Sequence, residues 1–198
     1  MELTGDAARF GITIPLDDFA SLALRHSKTD INTAGVEDEG RRLVRADFPE
    51  NMCAEYVRSV SRWGGYSGVG GRVIKGNTPS AISEALRHAN VALQTASPDL
   101  ESALRVVNRL KGLGTPSFAS KHLRFLAPRL CPVFDDYLRV LLPYSFGPRG
   151  YAAWAEDCSV LAAALTRRRA VNPWPGRDGD WYAADVEAAI YQWARNRR

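Results

Sequence analysis

The sequence predicts a mostly α-helical protein, and two observations support that prediction. Apolar residues recur through most of the chain at the three- and four-residue spacing of a buried helix face. Segments of alternating apolar residues, which would indicate strands, are few, and the best candidate is FGITIPL at residues 10–16. With 198 residues, of which 45% are hydrophobic, the chain can bury a substantial core, and we expect one compact domain over residues 1–198.

Four apolar stripes predict helices after residue 78. The first two follow Thr78-Pro79 and Ser97-Pro98, and proline suits the first turn of a helix because its missing N–H would have no partner there. Three segments with glycine, proline and aromatic residues are predicted to be loops: residues 61–72, with five glycines, and residues 142–150 and 172–180. The stripes are Ile82, Leu86, Ala89 and Leu93; Leu100, Leu104 and Val107; Trp154, Cys158, Leu161 and Leu165; and Tyr182, Val186, Ile190 and Trp193.

Several classes of protein are disfavoured by composition. No apolar run approaches the roughly 18 residues that a membrane-spanning helix needs, and residues 1–10 lack the pattern of a signal sequence. The three cysteines, Cys53, Cys131 and Cys158, stand too far apart in sequence for a CxxC pair or a four-cysteine metal site. We therefore expect a cytoplasmic protein that makes no membrane contact and holds no metal.

Positive charge is concentrated in one part of the chain, although the net charge is only +4. No acidic residue lies between Glu101 and Asp135, whereas six Lys or Arg residues do. Such a local excess attracts polyanions, of which nucleic acid is the commonest. The alternative is an ordinary solvated helix face.

A tight turn between two helices is predicted at Gly112 and Gly114, and Thr115-Pro116 begins the next helix. Glycine allows successive backbone N–H groups to converge on one anion, and the N-terminus of the following helix adds its own N–H groups. A helix–hairpin–helix of this kind binds phosphate without reading base sequence. The alternative is a glycine C-cap with no ligand.

The helix after this turn is predicted to bury Ala119, Leu123 and Leu126 and to expose Ser117, Ser120 and Arg124. Lys121 falls on the border between the two faces, close to Phe125. A lysine there either lines a cleft or extends along the apolar surface to solvent.

Two adjacent carboxyl groups follow, at Asp135 and Asp136, where an extended segment meets a short helical pattern. We expect one of them to cap that helix. A capping carboxylate can also face a cleft, and an acid in a basic groove is useful if positive charge develops on the substrate.

These segments together resemble a known family. LKGLG, a helix, and then PVFDDYL are similar to the helix–hairpin–helix DNA glycosylases with the GPD signature. FASKHLRFLAP, RWGG and DVEAAIYQWAR resemble the bacterial 8-oxoguanine-glycosylase-like branch, so the resemblance extends over most of residues 55–198. It implies two helical subdomains flanking a cleft, with the helix–hairpin–helix and catalytic segment at about residues 98–142.

The resemblance implies an enzyme that flips a damaged or modified base out of double-stranded DNA and cleaves its N-glycosidic bond. The carboxylate that stabilises the sugar cation is Asp135 or Asp136. Strand-cutting members carry a lysine two residues after the second hairpin glycine, but Pro116 occupies that position here. Either water is the nucleophile, or Lys121 acts from its border position and adds AP-lyase activity. Two alternatives remain: an antiphage glycosylase that removes hypermodified bases, and a DNA-binding module without catalysis.

The remaining expectations concern the surroundings of the reaction. Trp63, Tyr66, Tyr144 and Trp181 are candidates for stacking against the flipped base, and the segment 61–72 is a candidate for filling the gap that the base leaves. No cofactor is implied, although the hairpin is compatible with a bound monovalent cation, and we expect a monomer. The predicted DNA contacts are Lys111, Gly112, Leu113, Gly114, Thr115, Ser117 and Arg124.

Overall fold

The prediction of an all-α fold is confirmed. The computed structural model describes residues 7–29 and 32–197, and this part of the chain contains ten α-helices, one 3₁₀ turn over Ala7–Phe10 and no strand. Residues 1–6, part of the segment in which we expected no signal sequence, lie outside the described residues. The helices are α1 (Asp18–Thr29), α2 (Thr33–Arg45), α3 (Glu50–Trp63), α4 (Ser67–Gly76), α5 (Pro79–Leu93), α6 (Leu100–Asn108), α7 (Pro116–Leu126), α8 (Asp136–Arg139), α9 (Pro148–Arg167) and α10 (Ala183–Arg195).

The helices that the apolar stripes predicted are α5, α6, α9 and α10, and their starts have clear causes. Thr78 caps α5, because its hydroxyl accepts the N–H of Ala81, and Pro79 occupies the first turn. The carboxylate of Asp99 caps α6 by accepting the N–H of Ser102. Helix α6 therefore begins just after Ser97-Pro98.

The helices pack around one continuous apolar core. Helix α10 packs on α1 and α9, while α3 packs on α2, α4 and α5. Helix α6 contacts α5, α7 and α9, and α7 also contacts α2 and α3. Buried apolar side chains from Phe10 to Ala194 belong to this single cluster. No helix in the described part of the chain is both long and apolar enough to cross a membrane.

The predicted strand at residues 10–16 is wrong. Phe10 ends the 3₁₀ turn and the residues before α1 are irregular. The apolar residues are buried without a neighbouring strand: Phe10 packs edge-on against Trp154 with 5.3 Å between ring centroids, and Ile14 is also in the core. Burial therefore accounts for these apolar residues.

The predicted loop at residues 61–72 is mostly helix. Only Gly64, Gly65 and Tyr66 separate α3 from α4, so the connection is short. Close packing explains Gly70 on α4, because a Cβ there would lie 3.3 Å from the Cα of Arg58 on α3. The loop prediction at 142–150 is wrong at its end, because Pro148 begins α9. Residues 172–180 are irregular, as predicted.

Candidate active site

A cleft of about 770 Å³ lies where α3, α7, α8, α10 and α1 come together. It includes Lys121, Asp135 and Asp136, the three residues that the sequence singled out for catalysis. Its walls also include residues from both ends of the chain, which no local motif connects. The lining residues are His26, Trp63, Gly64, Tyr66, Thr115, Ser117, Phe118, Lys121, Val133, Asp135, Asp136, Tyr137, Glu187, Tyr191 and Arg195.

Asp135 is the cap of α8 and also faces the cleft. Its Oδ1 accepts the backbone N–H groups of Tyr137 and Leu138 at 3.0 and 3.1 Å. Both bonds use one oxygen, so Oδ2 takes part in neither. Asp136 begins α8, is 61% exposed, and forms an ion pair of 3.4 Å with Arg139. The carboxylate of Asp135 is thus the more firmly positioned of the two.

Lys121 is buried at the cleft wall, with 7% of its surface exposed. Its Nζ donates a 3.0 Å hydrogen bond to Oγ of Ser117, one turn earlier on α7, and lies 4.9 Å from the ring centroid of Phe118. Burial lowers the pKa of the Lys121 amine, and the nearby carboxyl groups of Asp135, Glu187 and Asp136 oppose that shift only in part. The amine is therefore neutral more often than that of an exposed lysine.

The predicted exposed face of α7 is wrong, because Ser117, Ser120 and Arg124 are all buried. The helix is covered on nearly all sides, so periodicity could not distinguish its faces. Ser117 lines the cleft, where it accepts the bond from Lys121. Ser120 accepts the backbone N–H of Phe134 at 3.0 Å, which holds the segment before Asp135 against α7.

Arg124 was expected to contact DNA, and its position contradicts that. Its guanidinium is 2.6 Å from the carboxylate of Glu37, within a buried network of four charged groups. Arg177 joins the network between Glu37 at 2.8 Å and Asp185 at 3.0 Å. Arg124 therefore holds α7 to α2, and its charge is already paired.

The hairpin between α6 and α7 has the backbone that the glycines predicted. Gly112 and Gly114 have φ of +84° and +92°, in the left-handed region that favours glycine. The neighbouring Asn77 braces the turn: its Nδ2 donates to the carbonyl of Lys111 at 2.9 Å and its Oδ1 accepts the Lys111 N–H at 3.1 Å. Leu113 is buried beneath the turn, whereas Lys111, Gly112 and Gly114 are exposed.

Thr115, at the start of α7, connects the hairpin to the cleft. It precedes Pro116 as the N-cap residue, but its side chain makes no capping hydrogen bond. Because Thr115 also lines the cleft, the exposed turn adjoins the cavity that holds Lys121 and Asp135.

Of the four aromatic residues predicted to hold the base, two line the cleft. Trp63 is at the end of α3 and donates to Thr33 at 2.8 Å, and Tyr66 is 64% exposed with its ring edge-on to Phe118. The prediction is wrong for the other two. Tyr144 donates to Asp157 at 2.6 Å and packs on Trp154, while Trp181 is buried and donates to the carbonyl of Ala170. Both have structural roles outside the cleft.

Sequence reasoning missed the wall that α10 and α1 contribute, including Glu187, Tyr191, Arg195 and His26. Glu187 is buried, with 7% exposed. One signal was present: Asp185 and Glu187 interrupt the otherwise apolar, alanine-rich start of α10, where all residues from Ala183 to Ile190 are buried. Asp185 is explained by its ion pair with Arg177. In the described part of the chain no group of His, Cys, Asp and Glu is arranged to hold a metal ion.

Comparison with protein-family models, with curated proteins and with solved structures finds no match to this chain.

Proposed function

We propose that this protein is a DNA glycosylase with the helix–hairpin–helix architecture, which flips a damaged or modified nucleotide into the cleft and cleaves its N-glycosidic bond. One observation carries the proposal: a buried amine, Lys121, and a carboxylate, Asp135, share one cavity beside the turn at Gly112 and Gly114. The resemblance in sequence implied the hairpin and the aspartate, whereas Lys121 lies outside the lysine position of the family, which Pro116 occupies.

Binding of double-stranded DNA is supported by the chemistry of the hairpin. The turn is exposed, its glycines have the backbone of an anion-binding loop, and α7 begins directly after it. Lys111 on the turn and Arg109 before it are exposed cations. Such a surface binds phosphates irrespective of base sequence, with an affinity that falls steeply as salt rises.

The carboxylate of Asp135 is suited to stabilise the sugar during bond cleavage. Departure of the base leaves positive charge on the deoxyribose ring, and an anion fixed close to the ring stabilises that charge. Two backbone N–H groups hold Asp135 through Oδ1, so little reorganisation accompanies the reaction.

Lys121 is suited to be the nucleophile, which would give the enzyme AP-lyase activity. Only a neutral amine can attack C1′. Burial lowers the pKa of Lys121 and so increases the neutral fraction of its amine. The hydrogen bond to Ser117 fixes the position of Nζ. A protein that only bound DNA would gain nothing from burying an amine beside two carboxyl groups, since desolvating charged groups is costly.

The test is incubation with a panel of duplexes that carry oxidised, alkylated, deaminated and phage-type modified bases, followed by alkaline cleavage of abasic sites. We expect the native chain to release at least one of these bases, and Asp135→Asn to release that base far more slowly. Absence of base release from every duplex by folded protein that binds DNA would refute the proposal.

A further inference from the structure

We propose that Glu187 is the general acid of this cleft and donates its proton to the departing base. This inference rests on the proposed glycosylase function and adds a catalytic residue to it. Neither the hairpin nor the aspartate pair points to Glu187, which lies on α10, more than 50 residues further along the chain.

Geometry places Glu187 at the reaction site. Its side chain lines the same cavity as Lys121 and Asp135, although the three residues come from α10, α7 and the N-terminus of α8. It is 7% exposed, so its remaining accessible surface faces that cavity. Among the described residues Glu187 has no ion-pair partner within 4 Å, and Arg124, the cation that lowers its pKa most, is bound to Glu37.

The surroundings favour the protonated acid. Burial raises the pKa of Glu187 to about 8, and the negative charge of Asp135 acts in the same direction. Arg124, Lys121 and the backbone N–H of Val133 oppose this shift without reversing it. The other titratable groups at the cleft are Tyr191 and Arg195 on α10, Asp136 and Tyr137 on α8, and His26 on α1. Tyr151 and Cys158 on α9 also lie near Glu187.

Two carboxyl groups in one cavity with opposite protonation states are a recurring arrangement for acid–base chemistry. Asp135 is held at the cleft by two backbone N–H groups that donate to Oδ1, while burial raises the pKa of Glu187 and so favours its protonated form. The first can stabilise a cation and the second can protonate a leaving group.

Proton transfer from Glu187 accompanies cleavage of the glycosidic bond. The C1′–N bond breaks and its electron pair moves to the base. The proton of the Glu187 carboxyl passes to a ring nitrogen or exocyclic oxygen of the base, which leaves as a neutral molecule, and Glu187 becomes a carboxylate. The nucleophile, which is the Lys121 amine or water, bonds to C1′ and gives up one proton to solvent, and Glu187 takes up a proton from solvent to return to its acid form.

The test compares Glu187→Gln with the native chain on two probes. Glutamine keeps the shape and hydrogen-bonding capacity but cannot transfer a proton, so base release in single turnover should fall by about 10² or more. A duplex with a preformed abasic site has no base to protonate, so borohydride trapping on it should be unchanged. Glu156→Gln, the same change at an exposed position on α9, is the matched control.

Equal base release by Glu187→Gln and the native chain would overturn the inference while leaving the glycosylase intact. Loss of trapping on the abasic duplex would also overturn it, since Glu187 would then act on Lys121. The protonation of Glu187 can also be measured without base release. This measurement is a ¹³C NMR titration of the labelled glutamate carboxyl groups, in which the Glu187→Gln variant assigns the Glu187 signal. We expect Glu187 to titrate near pH 8 in the folded chain, and titration below about pH 6 would refute its role as an acid.

Discussion

Nζ of Lys121 donates a 3.0 Å hydrogen bond to Oγ of Ser117, one helical turn closer to the hairpin. This contact links the turn that is proposed to bind phosphate with the amine that is proposed to attack the sugar. Both side chains are buried and line the cleft, so the serine hydroxyl restricts where the amine can lie.

Borohydride should trap a covalent adduct between the native chain and a duplex with an abasic site, because Lys121 is a buried amine in the cleft. Lys121→Gln should abolish the adduct, and Ser117→Ala should slow its formation about tenfold by releasing the amine from its acceptor. The yield should rise with pH through the lowered pKa of Lys121, and so at a lower pH than an ordinary lysine requires.

Lys28→Gln, at an exposed lysine on α1, serves as the control for that experiment and should trap normally. Base release by an active enzyme that forms no adduct would mean that water is the nucleophile and that Lys121 only positions the substrate.

Substitution of Gly64 tests whether the position of the aliphatic part of the Lys121 side chain matters for the reaction. A Cβ at Gly64 would lie 3.1 Å from Cδ of Lys121, and the φ of −69° at Gly64 permits any side chain. Gly64→Val should therefore displace the lysine and reduce base release by about 10- to 100-fold without unfolding the protein. Gly71→Val on α4 is the control, since nothing lies within 4 Å of its Cβ. Equal base release by Gly64→Val and Gly71→Val would show that the position of the Lys121 side chain does not affect the rate.

Much of the helical scaffold could be predicted from sequence, because its stripes and caps are local. The stripe that ends at Leu93 and the helix start at Thr78-Pro79 are examples. Only some of the residues that line the cleft could be predicted from sequence. Lys121 and Asp135 lie in one continuous motif, whereas Glu187 reaches them only because α10 folds back beside α1 and α9. The burial of Arg124 depends on Glu37, 87 residues away, and no local pattern indicates such a pair.

The hairpin should control affinity for DNA without regard to sequence. Gly114 has φ of +92°, so Gly114→Ala strains the turn by roughly 1–2 kcal/mol, although nothing lies within 4 Å of the new Cβ. Affinity should fall by about the same factor for every duplex, measured by fluorescence anisotropy over a range of salt concentrations. Gly179→Ala, at φ of +87° and equally open, carries matched strain away from the hairpin. Unchanged affinity of the Gly114 variant would remove the hairpin from the interface.

The buried charge network should dominate the acid sensitivity of folding. Burial raises the pKa of Glu37, but the hydrogen bonds and charges of Arg177 and Arg124 outweigh it, so the pKa lies below its ordinary value of 4.5. The stabilisation is therefore complete above about pH 4.5 and is lost as the pH falls through the lowered pKa. Glu37→Gln should lower the free energy of unfolding at pH 7 by about 3 kcal/mol or more, measured by urea denaturation.

Asp38→Asn, at an exposed acid on the same helix, is the control for Glu37→Gln and should cost less than about 1 kcal/mol. Similar losses for the two variants would contradict a dominant buried network.

The most direct test of the account compares Asp135→Asn with Asp136→Asn in single-turnover base release on a duplex that the native chain processes. Asp135 is fixed at the cleft by two backbone N–H groups, whereas Asp136 is 61% exposed and paired with Arg139. We expect Asp135→Asn to retain DNA binding and to lose base release by about 10³-fold, while Asp136→Asn stays within about tenfold of the native rate. Full activity of the Asp135 variant would contradict the claim that its carboxylate stabilises the sugar cation.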